Sequence, residues 1–99
     1  MTNIFIVSAF QRDVKKIKDK AYENIIKKIL IEVRENGLDS ILSFPEVVNI
    51  ARIQGYQEQY YRIKIKYGVG FRIGIEITDE GIYFLRTDKR KDFYKRFPS

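Results

Sequence analysis

Tyr61-Arg-Ile-Lys-Ile-Lys-Tyr-Gly-Val-Gly-Phe-Arg-Ile-Gly-Ile-Glu-Ile77 decides the fold of this chain. Tyr61, Ile63 and Ile65 alternate with Arg62, Lys64 and Lys66. Beyond Tyr67-Gly-Val-Gly70 the alternation resumes, with Phe71, Ile73, Ile75 and Ile77 set against Arg72, Gly74 and Glu76. A period of two marks strands that turn one face to a core and the other to water. The stretch therefore predicts an antiparallel hairpin with one apolar and one cationic face. Asp79-Glu80-Gly81 turns the chain again into Ile82-Tyr-Phe-Leu85, a run apolar on both sides and so suited to a central strand.

Upstream, the period changes. Asn3-Ile-Phe-Ile-Val-Ser8 has the β-branched and aromatic content of a short strand. Ser8 is then placed to cap a helix, with Gln11 completing a Ser-x-x-Gln box and Phe10, Val14 and Ile17 forming a stripe. Tyr22, Ile25, Ile26, Ile29, Leu30 and Val33 follow helical spacing, and Asn36-Gly37 supplies the stop. From Leu38 to Gln59 the signals are mixed: Pro45 excludes a helix interior, Val47 to Ile53 is partly apolar, and Gly55 marks a turn. That segment is expected to be a partly packed connection. Lys89 to Phe97 reads as a short basic, aromatic C-terminal tail of one or two helical turns. The predicted architecture is α+β, in the order β-α-α-β-β-β. A helical hairpin covers the apolar face of an antiparallel sheet, and the face bearing Arg62, Lys64, Lys66 and Arg72 stays open.

Composition narrows the chemistry. The 99 residues suffice for one core, and a single domain over 1–99 is expected. With no Cys and no His, thiol nucleophiles, disulfides, zinc sites on those ligands and imidazole-based catalysis are excluded, leaving Lys, Arg, Tyr, Asp and Glu. No cofactor or metal is expected. The apolar run Ile4 to Val7 is too short for a signal peptide or a bilayer span, so a cytoplasmic location and no membrane partner are expected.

The net charge of +6 is unevenly spread. Residues 12–28 carry seven Lys/Arg against three Asp/Glu, residues 29–59 two against five, and residues 60–99 ten against five. Basic blocks of this kind suit a polyanion such as nucleic acid, although a merely solubilising charge gives the same count.

Arg62, Lys64 and Lys66 alone are what the wet side of any half-buried sheet carries. Arg72 joins them from the adjacent strand, where like charges repel unless an anion sits among them. Gly74 leaves a bare position for the backbone of a ligand, or equally for a bulge. Lys89-Arg90-Lys91-Asp92-Phe93-Tyr94 interleaves cations with aromatics, the pattern that holds phosphates while stacking unpaired bases. Phe93 is read as structural and Tyr94 as functional. Glu76 shares the parity of Arg72 and is expected to pair with it.

Tyr61-Arg-Ile-Lys-Ile65, Gly70-Phe-Arg-Ile-Gly-Ile-Glu-Ile77, the acidic turn and Lys89-Arg90-Lys-Asp-Phe-Tyr94 together resemble the RelE toxins of the RelE/ParE toxin-antitoxin superfamily. Phe10-Gln-Arg-Asp-Val-Lys-Lys-Ile17 and Ile53-Gln-Gly55 extend the resemblance over nearly the whole chain. It implies a RelE-like fold and metal-independent, ribosome-dependent cleavage of mRNA in the A site, by attack of a ribose 2′-hydroxyl on its phosphate. It also implies a cognate antitoxin protein, the ribosome and mRNA as partners. By similarity Lys64 is the general base, Arg72 stabilises phosphorane charge, Arg90 stands near the leaving oxygen and Tyr94 stacks on a base. Arg62, Lys66, Lys89 and Lys91 would hold RNA phosphates. Two rival readings are a ParE-like gyrase inhibitor, which generally lacks this full set of cations, and a non-catalytic RNA-binding module.

Overall fold

The alternation of the hairpin is realised in register: Ile63 lies opposite Ile73, Ile65 opposite Phe71, and Lys64 opposite Arg72. The structure, a computed structural model, describes residues 1–98. In chain order they form β1 (Ile4–Ile6), α1 (Ser8–Ile17), α2 (Lys20–Asn36), a 3-10 turn (Leu38–Ser43), β2 (Val47–Arg52), β3 (Gln59–Ile65), β4 (Phe71–Thr78), β5 (Gly81–Lys89) and α3 (Arg90–Phe93). The sheet runs β1-β5-β4-β3-β2, with β1 parallel to β5 and the other pairs antiparallel. The expected α+β architecture is present. Among the described residues no helix is long and apolar enough to cross a membrane.

The connection over 38–59 holds more order than its sequence suggests, because β2 pairs with β3 as an edge strand. A register shift between Val47 and Asn49 explains why no period of two is visible there. The start of α1 also differs from expectation. Val7, not Ser8, is the N-cap; no side chain caps the end, and Gln11 donates its backbone N–H to the Val7 carbonyl. Val7 is held extended because its own N–H bonds the Phe84 carbonyl of β5, at 3.3 Å, so the helix starts one residue early.

Phe10 of α1 and Tyr22, Ile25, Ile26, Ile29 and Val33 of α2 are buried against Ile63, Ile65, Phe71, Ile73, Ile75, Ile82 and Phe84 of the sheet. Each such side chain contributes about 1.5–3 kcal/mol of burial. Inside this core a hydroxyl relay fixes the register of helix on sheet. Thr87 donates to the Arg72 carbonyl at 2.9 Å, which leaves the Tyr22 hydroxyl as the donor in its 2.6 Å contact with Thr87. Burial pushes the Tyr22 phenol well above its ordinary range, which keeps it a neutral donor.

Asp19 joins helix to hairpin turn: it caps α2 by accepting from the Tyr22 N–H at 3.0 Å and takes the Tyr67 hydroxyl at 3.0 and 3.1 Å. That hydrogen bond holds the Tyr67 phenol above its ordinary range.

Asp13 does the same for α1. It occupies the stripe of Phe10, Val14 and Ile17 yet is 5% exposed, and it accepts from Arg86 twice at 2.9 Å, from the Thr87 N–H at 3.0 Å and from Arg96 at 3.3 Å. Removing it leaves arginines that still reach water, with side chains 28% and 35% exposed, so the cost falls below that of a fully buried pair. Asp13→Ala is expected to lower stability by about 2 kcal/mol and the thermal midpoint by roughly 10 °C, measured by thermal and denaturant unfolding.

Candidate functional site

The cationic face of the sheet is half closed rather than open. The C-terminal tail folds back over it, burying Phe93 and Phe97. Gly74 is the reason it fits: a Cβ there would stand 2.7 Å from the Phe97 ring. The bare position thus receives the chain's own aromatic and no ligand backbone. The register also shifts between Gly74 and Ile75, as the bulge reading requires. Tyr60 of β3 packs edge-on against Phe97 with ring centres 5.5 Å apart, and Phe93 lies 5.3 Å from it on the other side.

This closure brings the predicted residues to one end of the sheet. Lys64 and Arg72 are direct cross-strand partners, so the Tyr67–Gly70 loop preserves their spacing. Arg90, at the start of α3, donates its backbone N–H to the Gly70 carbonyl at 3.0 Å, tying the tail to the hairpin turn. As a result the Arg90 Cβ and the Arg72 guanidinium lie 3.8 and 3.9 Å from where a Gly70 Cβ would stand. Tyr94 follows Arg90 by one turn, is 53% exposed and packs edge-on to Phe93.

Arg72 is the anomaly in this cluster. It is 6% exposed; its guanidinium donates to the Phe71 carbonyl at 3.0 Å, its buried Nε has no acceptor, and no ion pair forms to it among the described residues. A buried cation without counterion is costly. The expected pairing with Glu76 is not made. Four residues along one strand put the two roughly 13 Å apart at the backbone, and Glu76 instead lies across from Tyr60 and Tyr83.

The remaining predicted cations are less tightly gathered. Arg62 is held by Asn49 of β2 at 2.6 Å, Lys66 lies exposed beyond the end of β3, and Lys91 is exposed on α3. Lys89 does not join the group: it lines a separate cleft of about 380 Å³ between α1 and the tail, together with Lys16, Lys95 and Arg96. Sequence reading missed Asp13, Arg86, Asp88 and Arg96, which fasten the tail. The one signal was Asp13, a carboxylate in the middle of an apolar helical stripe.

No family model matches the sequence. Toxin RelE3 of Methanocaldococcus jannaschii is 32% identical over 95 residues, covering 96% of this chain and 98% of that protein. The chain belongs to the RelE toxin family. The RelE fold is shared as well: the crystal structure of a RelB-RelE antitoxin-toxin complex from Methanococcus jannaschii aligns with a TM-score of 0.67 at 31% identity, over 95% of this chain and 99% of that one. In this RelE chain the tail seat rests on residue 74, and any side chain there must lift Phe97. Gly74→Ala is expected to destabilise by about 1–3 kcal/mol and to make the tail the first site of protease cleavage. Limited proteolysis read by mass spectrometry checks this against wild type.

Proposed function

We propose that this RelE-family chain is the toxin of a type II toxin-antitoxin system and an endoribonuclease, cutting mRNA in the ribosomal A site without a metal. The observation that supports it most is Arg72, a buried cation lacking a carboxylate, directly opposite Lys64 and beside Arg90. A phosphate between these groups would be met by positive charge from three elements, and Arg72, the buried one, acts from a setting where charge is poorly screened.

In this reading Lys64 takes the proton of the ribose 2′-hydroxyl as its oxygen bonds to phosphorus. Arg72 then stabilises the charge that gathers on the phosphoryl oxygens. The bond to the 5′ oxygen breaks beside Arg90, that oxygen takes a proton from water, and a 2′,3′-cyclic phosphate remains. Tyr94, half exposed on the neighbouring turn, offers its ring to a base; such stacking contributes about 1–3 kcal/mol. Arg62, Lys66 and Lys91 lengthen the cationic track for flanking phosphates, whereas Lys89 faces the other cleft.

The test is cleavage of a translated message by purified protein on ribosomes, mapped by primer extension. Lys64→Ala, Arg72→Ala and Arg90→Ala should each lower the rate by 100-fold or more, an order-of-magnitude figure typical of lost transition-state charge. Wild-type cleavage should persist in a chelator once ribosome integrity is controlled, and should leave a cyclic 3′ end. A folded Lys64→Ala, Arg90→Ala double variant that cleaves normally would falsify the reading. Binding to RNA without cuts would favour the plain RNA-binding module, and DNA damage on induction would favour gyrase inhibition.

The same proposal includes a cognate antitoxin. A nuclease acting on its own cell's messages has to be silenced, and the RelE of Methanococcus jannaschii was crystallised with RelB. A net charge of +6 favours a partner with acidic segments, whose charges speed association while apolar anchors supply affinity. Co-expression with the product of the adjacent open reading frame should yield an inactive complex. Its association rate should fall as salt rises, and harmless expression of soluble toxin alone would count against it.

A further inference from the structure

We propose that Arg96 keeps Arg72 available to an incoming phosphate by holding Asp88 away from it. The inference rests on Arg72 being the phosphate-binding cation. Asp88 of β5 is the direct cross-strand partner of Arg72 of β4. Side chains so placed share one face with Cβ atoms about 4.5–5.5 Å apart, within easy reach of an arginine–carboxylate pair. The pair is nevertheless not formed. One Asp88 oxygen accepts from the Lys89 N–H at 2.8 Å and the other from Arg96 at 3.3 Å, while the Arg72 Nε is left without an acceptor.

Asp88 is therefore diverted by the tail. Arg96 is brought to it by its neighbour Phe97, seated on Gly74, and reaches Asp13 with the same nitrogen at 3.3 Å. Asp13 does not depend on this contact, because Arg86 and the Thr87 N–H already fill its oxygens. Asp88 does, since Arg96 is its one side-chain cation among the described residues. Without Arg96, the cation directly across the ladder from Asp88 is Arg72, whose buried guanidinium lacks a carboxylate. An Arg72–Asp88 pair would then compete with the phosphate. Arg96 is in this sense a positioning residue, acting through Asp88 and touching no reacting atom.

The experiment compares R96M, D88N and the double variant with wild type in ribosome-dependent cleavage, and follows the Arg72 Nε–H resonance by NMR in each purified protein. R96M should lose roughly tenfold in kcat/KM, the scale of one charge-assisted contact, with the Arg72 resonance shifted by its new carboxylate partner. D88N should cleave like wild type. The double variant should recover to within about threefold of wild type, with the resonance restored, and R96K, which keeps a cation on Asp88, should lose less than R96M. Equal loss in R96M and the double variant, or an unmoved Arg72 resonance in folded R96M, would overturn the proposal. Normal cleavage by R72M would instead overturn the phosphate-binding reading alone, and the resonance would still decide whether Arg96 controls the pairing.

Discussion

Phe97 lies on the sheet because residue 74 has no side chain, and the arrangement of the cationic face follows from that contact. A tail carrying Lys89, Arg90, Lys91, Lys95 and Arg96 has electrostatic reason to leave a surface that already holds Arg62, Lys64 and Arg72. The opposing force is apolar. Phe93 and Phe97 are both buried, and each contributes on the order of 2–3 kcal/mol. With the two rings seated, the tail lies over the sheet, Arg90 remains at the hairpin turn through its bond to the Gly70 carbonyl, and Arg96 comes within reach of Asp13 and Asp88. Polar contacts then fasten what apolar contacts placed.

The elements built on unbroken alternation or helical spacing were legible: the hairpin of β3 and β4, the central β5, and α2 with its stop at Gly37. β2 was not, because the shift between Val47 and Asn49 breaks the very periodicity by which a strand is recognised. Ser8 had the chemistry of a cap, but the pairing of Val7 with Phe84 set the start of the helix through a contact far away in sequence. Gly74 was visible as an exception, and its occupant was not, since composition does not say which segment folds back. Within the site, parity put Lys64 and Arg72 on one face, whereas their direct pairing comes from the register of the hairpin and the approach of Arg90 depends on one backbone bond to Gly70. Asp13 joins residues 73 and 83 positions away, a separation that local patterns do not encode.

Three arginines, Arg72, Arg86 and Arg96, differ in their partners. Arg86 and Arg96 spend their charge on Asp13 and Asp88 and bind α1, β5 and the tail together. Arg72, more buried than either, has only the Phe71 carbonyl. If stability alone governed the arrangement, Asp88 would serve Arg72, which is its direct neighbour and has the greater need of a counterion. The carboxylate instead goes to the better-solvated cation.

That allocation leaves the isolated fold short of an interaction its own sequence could make, and the shortfall lies where β3, β4 and the start of α3 converge. A bound anion would supply the missing partner, so its affinity and the stability of the folded chain are linked: whatever satisfies Arg72 also holds the strand ends and the tail in place. The tail, fastened by apolar rings and by the contacts of Arg96 with Asp13 and Asp88, has its own supports and does not need that anion to close. The cations can therefore be held in position before substrate arrives, which is the condition under which fixed charge favours a transition state without reorganising to meet it.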